Sequence, residues 1–204
     1  MSEGRPALLL SGLGLRIAPF AGRPFRARLS DDSLTIEAHG ADGWRTAAVT
    51  APGASATAVS QLTSIAQLEL GPPSSTLWIE TSTYRIPLPP SWMLHASGEP
   101  NATPLFELLG PDGASISVRT ARRMPSIEAF QGPGHVFRDV GQLDRAGWIE
   151  FEHADASGTW LHRHEQLHRG TSPFIVTLKA QLDHASAHMD ALACIVEQLE
   201  LIQR

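Results

Sequence analysis

Cys194 is the one cysteine among 204 residues, so no disulfide can form within the chain and no cysteine-rich zinc module can be built. Charged residues make up only 18% of the sequence, and basic ones are the scarcer kind: 16 Lys and Arg stand against 21 Asp and Glu, a formal net charge of −5. That balance argues against a protein that holds nucleic acid by neutralising phosphates. No apolar run reaches the roughly 18 residues of a membrane-spanning helix. The stretch from Ala7 to Leu15 has the size of a signal h-region. Ser11, Gly12 and Gly14 interrupt it, however, Arg16 follows at once and no small-x-small cleavage site comes after, so the expected location is cytoplasmic. What the chain does have is a 42% hydrophobic composition, with 17 Gly and 15 Pro in many short clusters, the punctuation of a β-rich or α+β protein with frequent turns.

The run Gly71-Pro72-Pro73-Ser74-Ser75 interrupts regular structure, because its prolines remove amide donors, and it divides the chain into regions 1–75 and 76–204. In the first, Phe25 to Leu29 and Leu34 to Ala38 flank the turn-forming Ser30-Asp31-Asp32-Ser33, which predicts a hairpin, and Trp44 to Thr50 predicts a further strand. Val59, Leu62, Ile65 and Ala66 fall at helical spacing, predicting a short helix within Thr57 to Leu70. Beyond the break, Leu77 to Leu88 predicts a strand with Tyr84, Ile86 and Leu88 on one face. Leu105 to Leu109 and Ala114 to Thr120 predict a hairpin around Gly110-Pro111-Asp112-Gly113, and Ser126 is placed to cap a short helix. Strands follow at His135 to Val140, Trp148 to His153, Thr159 to Leu167 and Phe174 to Leu182. Asp183 then stands as the expected N-cap of a closing helix whose stripe runs through Ala185, His188, Met189, Leu192, Ile195, Val196 and Leu199.

The strongest candidate chemistry lies in "WLHRHEQLH". His162, His164 and His168 share parity with Trp160 on an extended strand, so their imidazoles project from one face. His162 with His164 offers two zinc ligands, but His168 is about 13 Å from His164 at the rise of a strand, and a third ligand has to come from elsewhere, such as His153 or Asp155. The expected role of this strand is therefore a solvated or partner-facing surface, with no metal, no cofactor and no catalytic residue. His184 and His188 stand at i, i+4, yet Ala185 occupies the Glu position of H-E-x-x-H. Ser11-Gly12-Leu13-Gly14 lacks the Gly-Lys of a phosphate loop, no G-x-S-x-G elbow is present, and Glu150 with Glu152 lie along one strand instead of across a cleft. Trp148 and Trp160 each open a strand of one hairpin and are candidate interface anchors. The expected partner-binding residues are thus Trp148, Trp160, His162 and His164.

The order of elements from Tyr84 onward also carries a resemblance. The phrase "YRIPLPPSW", the Gly-Pro-Asp-Gly hairpin, a Ser-led short helix, three strands, "PFIVTLKAQ" and the closing "HASAHMDALACIVEQLEL" are together similar to the PsbP/DcrB-like superfamily. In particular they resemble the Eag-type chaperones of type VI secretion effectors, over about Leu77 to Leu201. The resemblance implies an α+β fold, a curved antiparallel sheet backed by helices, preceded here by a β-rich N-terminal region. It also implies a non-enzymatic adaptor or chaperone that holds the apolar segment of a secreted effector, often as a homodimer. Two other classes remain open on the residues alone: an immunity protein that binds and neutralises a toxin, and a metal-dependent enzyme built on His162 and His164.

Overall fold

Short alternating segments separated by Gly, Pro and Ser clusters form strands that close into antiparallel sheets. The computed structural model describes residues 8–19, 22–30, 33–50, 65–99, 102–122, 125–143 and 146–202. It divides into two compact units, Met1–Phe106 with Gln198–Arg204, and Glu107–Glu197.

In the first unit, β1 (Leu8–Gly12), β2 (Leu15–Pro19), β6 (Ile65–Leu70), β7 (Trp78–Thr81), β8 (Tyr84–Pro87) and β16 (Glu200–Leu201) form a sheet in the order β16-β8-β7-β1-β2-β6. A second set, β3 (Phe25–Ser30), β4 (Ser33–Gly40), β5 (Gly43–Thr50) and β9 (Met93–Ala96), is ordered β9-β3-β4-β5. The β3–β4 hairpin is as expected, with Leu29 opposite Leu34 and Ser30 Oγ 3.1 Å from the Ser33 carbonyl; Asp31 and Asp32 lie outside the described residues. Ser11-Gly12-Leu13-Gly14 turns the β1–β2 hairpin. Leu13 and Gly14 have φ of 55° and 79°, the left-handed pair of a tight hairpin turn, and a Cβ on Gly12 would meet the Thr76 carbonyl oxygen at 2.1 Å.

Three expectations change here. Ile65–Leu70 is the strand β6 and not the end of a helix, because pairing with β2 (Leu15 opposite Leu70) sets its conformation; residues 57–64 lie outside the described ones. Leu77 to Leu88 is a hairpin and not one strand: Thr81 Oγ1 accepts from the amides of Thr83 and Tyr84 and turns the chain without Gly or Pro. Tyr84, Ile86 and Leu88 are nonetheless all buried. Finally, β7 pairs with β1 (Leu10 opposite Ile79), so the Gly71–Ser75 run is a connection within one sheet and the division expected at 75/76 falls inside the first unit.

In the second unit, β10 (Phe106–Leu109), β11 (Ser115–Thr120), β12 (His135–Leu143), β13 (Ala146–Asp155), β14 (Gly158–Arg169) and β15 (Ser172–Gln181) are ordered β12-β13-β14-β15-β11-β10. A 3-10 turn at Pro111–Gly113 closes the β10–β11 hairpin, and another lies at Ile127–Ala129 after Ser126, whose side chain makes no capping bond. The closing helix starts as a 3-10 segment, Leu182–His188, before α1 (Met189–Gln198), and its N-cap position is Gln181, not Asp183. Ala185 and His188 are both buried in that segment, and 3-10 winding stacks i over i+3. Leu192 and Ile195 carry the buried stripe on along α1. Antiparallel strand dominates the described residues, α1 is the α-helix among them, and none of their helices is long and apolar enough to cross a membrane.

Candidate functional site

Residues directly opposite each other in an antiparallel ladder project from the same face. The register therefore sorts β12–β15 into two faces. His135 is opposite His153, His153 opposite Trp160, Phe151 opposite His162, and Ile149 opposite His164. His162 and His164 lie opposite Lys179 and Thr177. All of these share one face. Trp148, Glu150, Arg163, Glu165 and Leu167 alternate to the other, together with Phe174, Val176 and Leu178 of β15.

On the first face the imidazoles converge. The His135 ring centroid is 4.6 Å from that of His162 and 5.1 Å from that of His153, and His153 and His162 are 6.2 Å apart. His135 Nδ1 accepts the Gly132 amide at 3.1 Å, which leaves Nε2 as the donor of the neutral ring. His164 Nδ1 is 2.9 Å from Thr177 Oγ1, and its ring lies 4.6 Å from that of Phe130. His153 Nδ1, His162 Nε2 and His164 Nε2 are buried with no hydrogen-bond partner. Phe130, Ile149, Phe151 and Ile175 form the apolar cluster beneath. Burial, then the neighbouring His135, Lys179 and His153, push His162 down to about 4. His164 is pushed down to about 4 by burial, then by His162, Arg119 and His135, and burial and His153 also lower His135.

Lys179, the one lysine in the sequence, sets its ammonium 4.7 Å from the Trp160 ring centroid and pairs with no carboxylate among the described residues. Trp160 in turn donates through Nε1 to Ser157 Oγ at 3.1 Å and Asp155 Oδ1 at 3.3 Å. Phe137 and Val140 of the edge strand β12 belong to this face and stand 47% and 48% exposed.

The opposite face is electrostatically closed. Arg163 donates to Glu150 at 2.9 Å and to Glu165 at 2.7 Å, and its guanidinium lies 4.3 Å from the Trp148 ring centroid. Arg138 joins Glu150 and Glu152. A Cβ on Gly141 would sit 2.3 Å from the Trp148 ring, so only glycine lets that indole lie on β12. Arg169 donates to the Val196 carbonyl at 2.6 Å, which ties α1 to the end of β14.

Trp160, His162 and His164 thus come together, whereas Trp148 faces the other way at the far end of the hairpin. His168 is exposed at the end of β14, and His184 pairs with Asp112 at 3.2 Å. Of the two residues considered as a third ligand, His153 joins the cluster, while the Asp155 carboxylate is held by the Ser157 amide and hydroxyl. No group of three or more His, Cys, Asp or Glu among the described residues is arranged to hold a metal ion. His135 and Lys179 are site residues that strand patterning did not single out. A lysine count of one is a signal in the sequence; the pairing of His135 with His153 depends on register and has none.

No protein-family model and no curated protein matches the chain. Among solved structures it is similar to LpqN of Mycobacterium tuberculosis, a protein involved in cell envelope biogenesis, at 18% identity and a TM-score of 0.40, over 59% of this chain and 83% of that one.

Proposed function

We propose that this chain is a non-enzymatic protein-binding module, an adaptor or chaperone for a secreted bacterial effector, and that the face of Trp160, His162 and His153 is its docking surface. The observation that carries the reading is the pairing, on one face, of a Trp and converging imidazoles with the exposed Phe137 and Val140 on an edge strand. Interface centres are enriched in aromatic anchors, and an edge strand offers unpaired amides and carbonyls to an incoming segment. The architecture we attach to it is a curved antiparallel sheet backed by α1, working in the cytoplasm, where the thiol of Cys194 stays reduced. Tagged protein recovered from its native host should bring down an effector through an apolar segment. Changing Phe137 and Val140 together to Glu should lower that capture at least tenfold while leaving the circular dichroism unchanged. Capture of a toxin domain with loss of its activity would replace this reading with that of an immunity protein.

A further inference from the structure

The two faces of β12–β15 treat their cations differently. Arg138 and Arg163 are matched by Glu150, Glu152 and Glu165. On the other face Lys179 rests on Trp160, and Arg119, opposite Ile175, reaches over Phe130; neither pairs with a carboxylate among the described residues. The groups facing the imidazoles can be named strand by strand: Arg119 from β11, His135 from β12, His153 from β13, His162 and His164 from β14, and Lys179 from β15. Four carboxylates stand away from the centre, one of them Glu107 of β10, opposite Ser117 in the row of Thr177 and His164. Asp155 is held by Ser157 and Trp160, Asp112 by His184, and Glu128 lies on the exposed turn Ile127–Ala129. In a chain of net charge −5, the centre of this face holds two cations, Lys179 and Arg119, with no ion pair among the described residues. It also holds buried imidazole nitrogens, His153 Nδ1 and His162 Nε2, with nothing to bond to.

We propose that this face is an anion-binding surface that takes a carboxylate-bearing peptide segment of the partner, seated on Lys179 and the His135–His153–His162 cluster, and that the complex takes up protons as it forms. The inference rests on the docking face proposed above and specifies the chemistry of what docks there. A carboxylate set among these rings supplies the missing counter-charge, so protonated imidazole becomes favourable in the complex where it is unfavourable in the free protein. Affinity must then rise as the pH falls. The apolar Phe137 and Val140 at the margin favour an acidic peptide, which can carry apolar side chains, over a nucleic acid.

The probes are fluorescein-labelled hexaglutamate, hexalysine and an eight-residue oligothymidylate, with binding followed by anisotropy at fixed ionic strength at pH 7.5 and pH 6.0. Hexaglutamate should bind at least tenfold more tightly at pH 6.0. Lys179→Gln should weaken it several-fold at both pH values, and His135→Gln with His162→Gln should remove the pH dependence. The imidazole Cε1 proton resonances should report raised His pKa values on binding. Three results would each overturn the inference: hexaglutamate bound no better than hexalysine, a pH dependence unchanged in the double variant, or oligothymidylate bound more tightly than hexaglutamate. The two proposals fail separately. An effector captured through Phe137 and Val140 but indifferent to Lys179→Gln and to competing hexaglutamate would sink this inference alone. Hexaglutamate bound here with no effector ever captured would sink the docking reading alone.

Discussion

The two faces of β12–β15 are built from the same strands in one register, yet they solve the burial of polar groups in opposite ways. On the Trp148 face, Arg163 and Glu165 keep side-chain exposures of 17% and 11% and are ion-paired, within a network of two arginines and three carboxylates. Burying ions costs little net free energy when each is paired and hydrogen-bonded. On the Trp160 face, groups of similar burial are imidazoles, which meet the same cost by giving up their protons: His162 and His164 are both pushed down to about 4. A closed network of fixed charges has nothing left to offer a ligand. A neutral cluster beside an unpaired ammonium can still change its charge, and that difference leaves the second face able to answer a ligand.

The largest test of this contrast is the apolar floor of the imidazole face. Phe151 is fully buried, and Phe151→Ala should cost about 3–5 kcal/mol in denaturant unfolding. It should also flatten the acid sensitivity that His162 and His164 confer, because it admits water to the rings. A loss below about 1 kcal/mol would mean that Phe151 is not closing a core. Next in size is the pH dependence of stability. The folded-state values of His162 and His164 lie below the ordinary 6.5, so their contribution is present above pH 6.5 and is lost as the pH falls from 6.5 towards 4. For the well-buried His164 this is of the order of 3 kcal/mol, with a smaller share from the more open His162. Melting temperatures of the native chain and of His164→Gln across that window should converge at low pH; parallel curves would refute it. Smallest is the pair Arg163→Gln and Lys179→Gln. The first strands Glu165, leaves Glu150 to Arg138 alone and should cost about 1.5–3 kcal/mol. The second removes one ring contact and should cost less than about 1 kcal/mol. The reverse order would erase the distinction between the faces.

What could be read from the chain follows from which signals are local. Gly110-Pro111-Asp112-Gly113 announces its hairpin because turn chemistry resides in those residues, and the alternation along β15 is visible for the same reason. Ile65–Leu70 carried two periodicities at once, and a tertiary partner, β2, decided between them. The turn between β7 and β8 was hidden because Thr81 does the work of a glycine. For the site, parity within β14 was enough to group Trp160, His162 and His164. Separating Trp148 from them, and bringing His135 and His153 to them, required knowing which residue of β13 lies opposite which of β14 and β12, and that is set by long-range pairing.

Lys179 has a practical consequence. A lysine-specific endoprotease finds one target bond in the whole chain, Lys179–Ala180, inside a strand hydrogen-bonded to β14 on one side and β11 on the other. Cleavage there requires β15 to leave the sheet, so at protease concentrations where cutting outpaces reclosing, the rate at which two fragments appear on a gel counts openings of the central strand, without label or mutation.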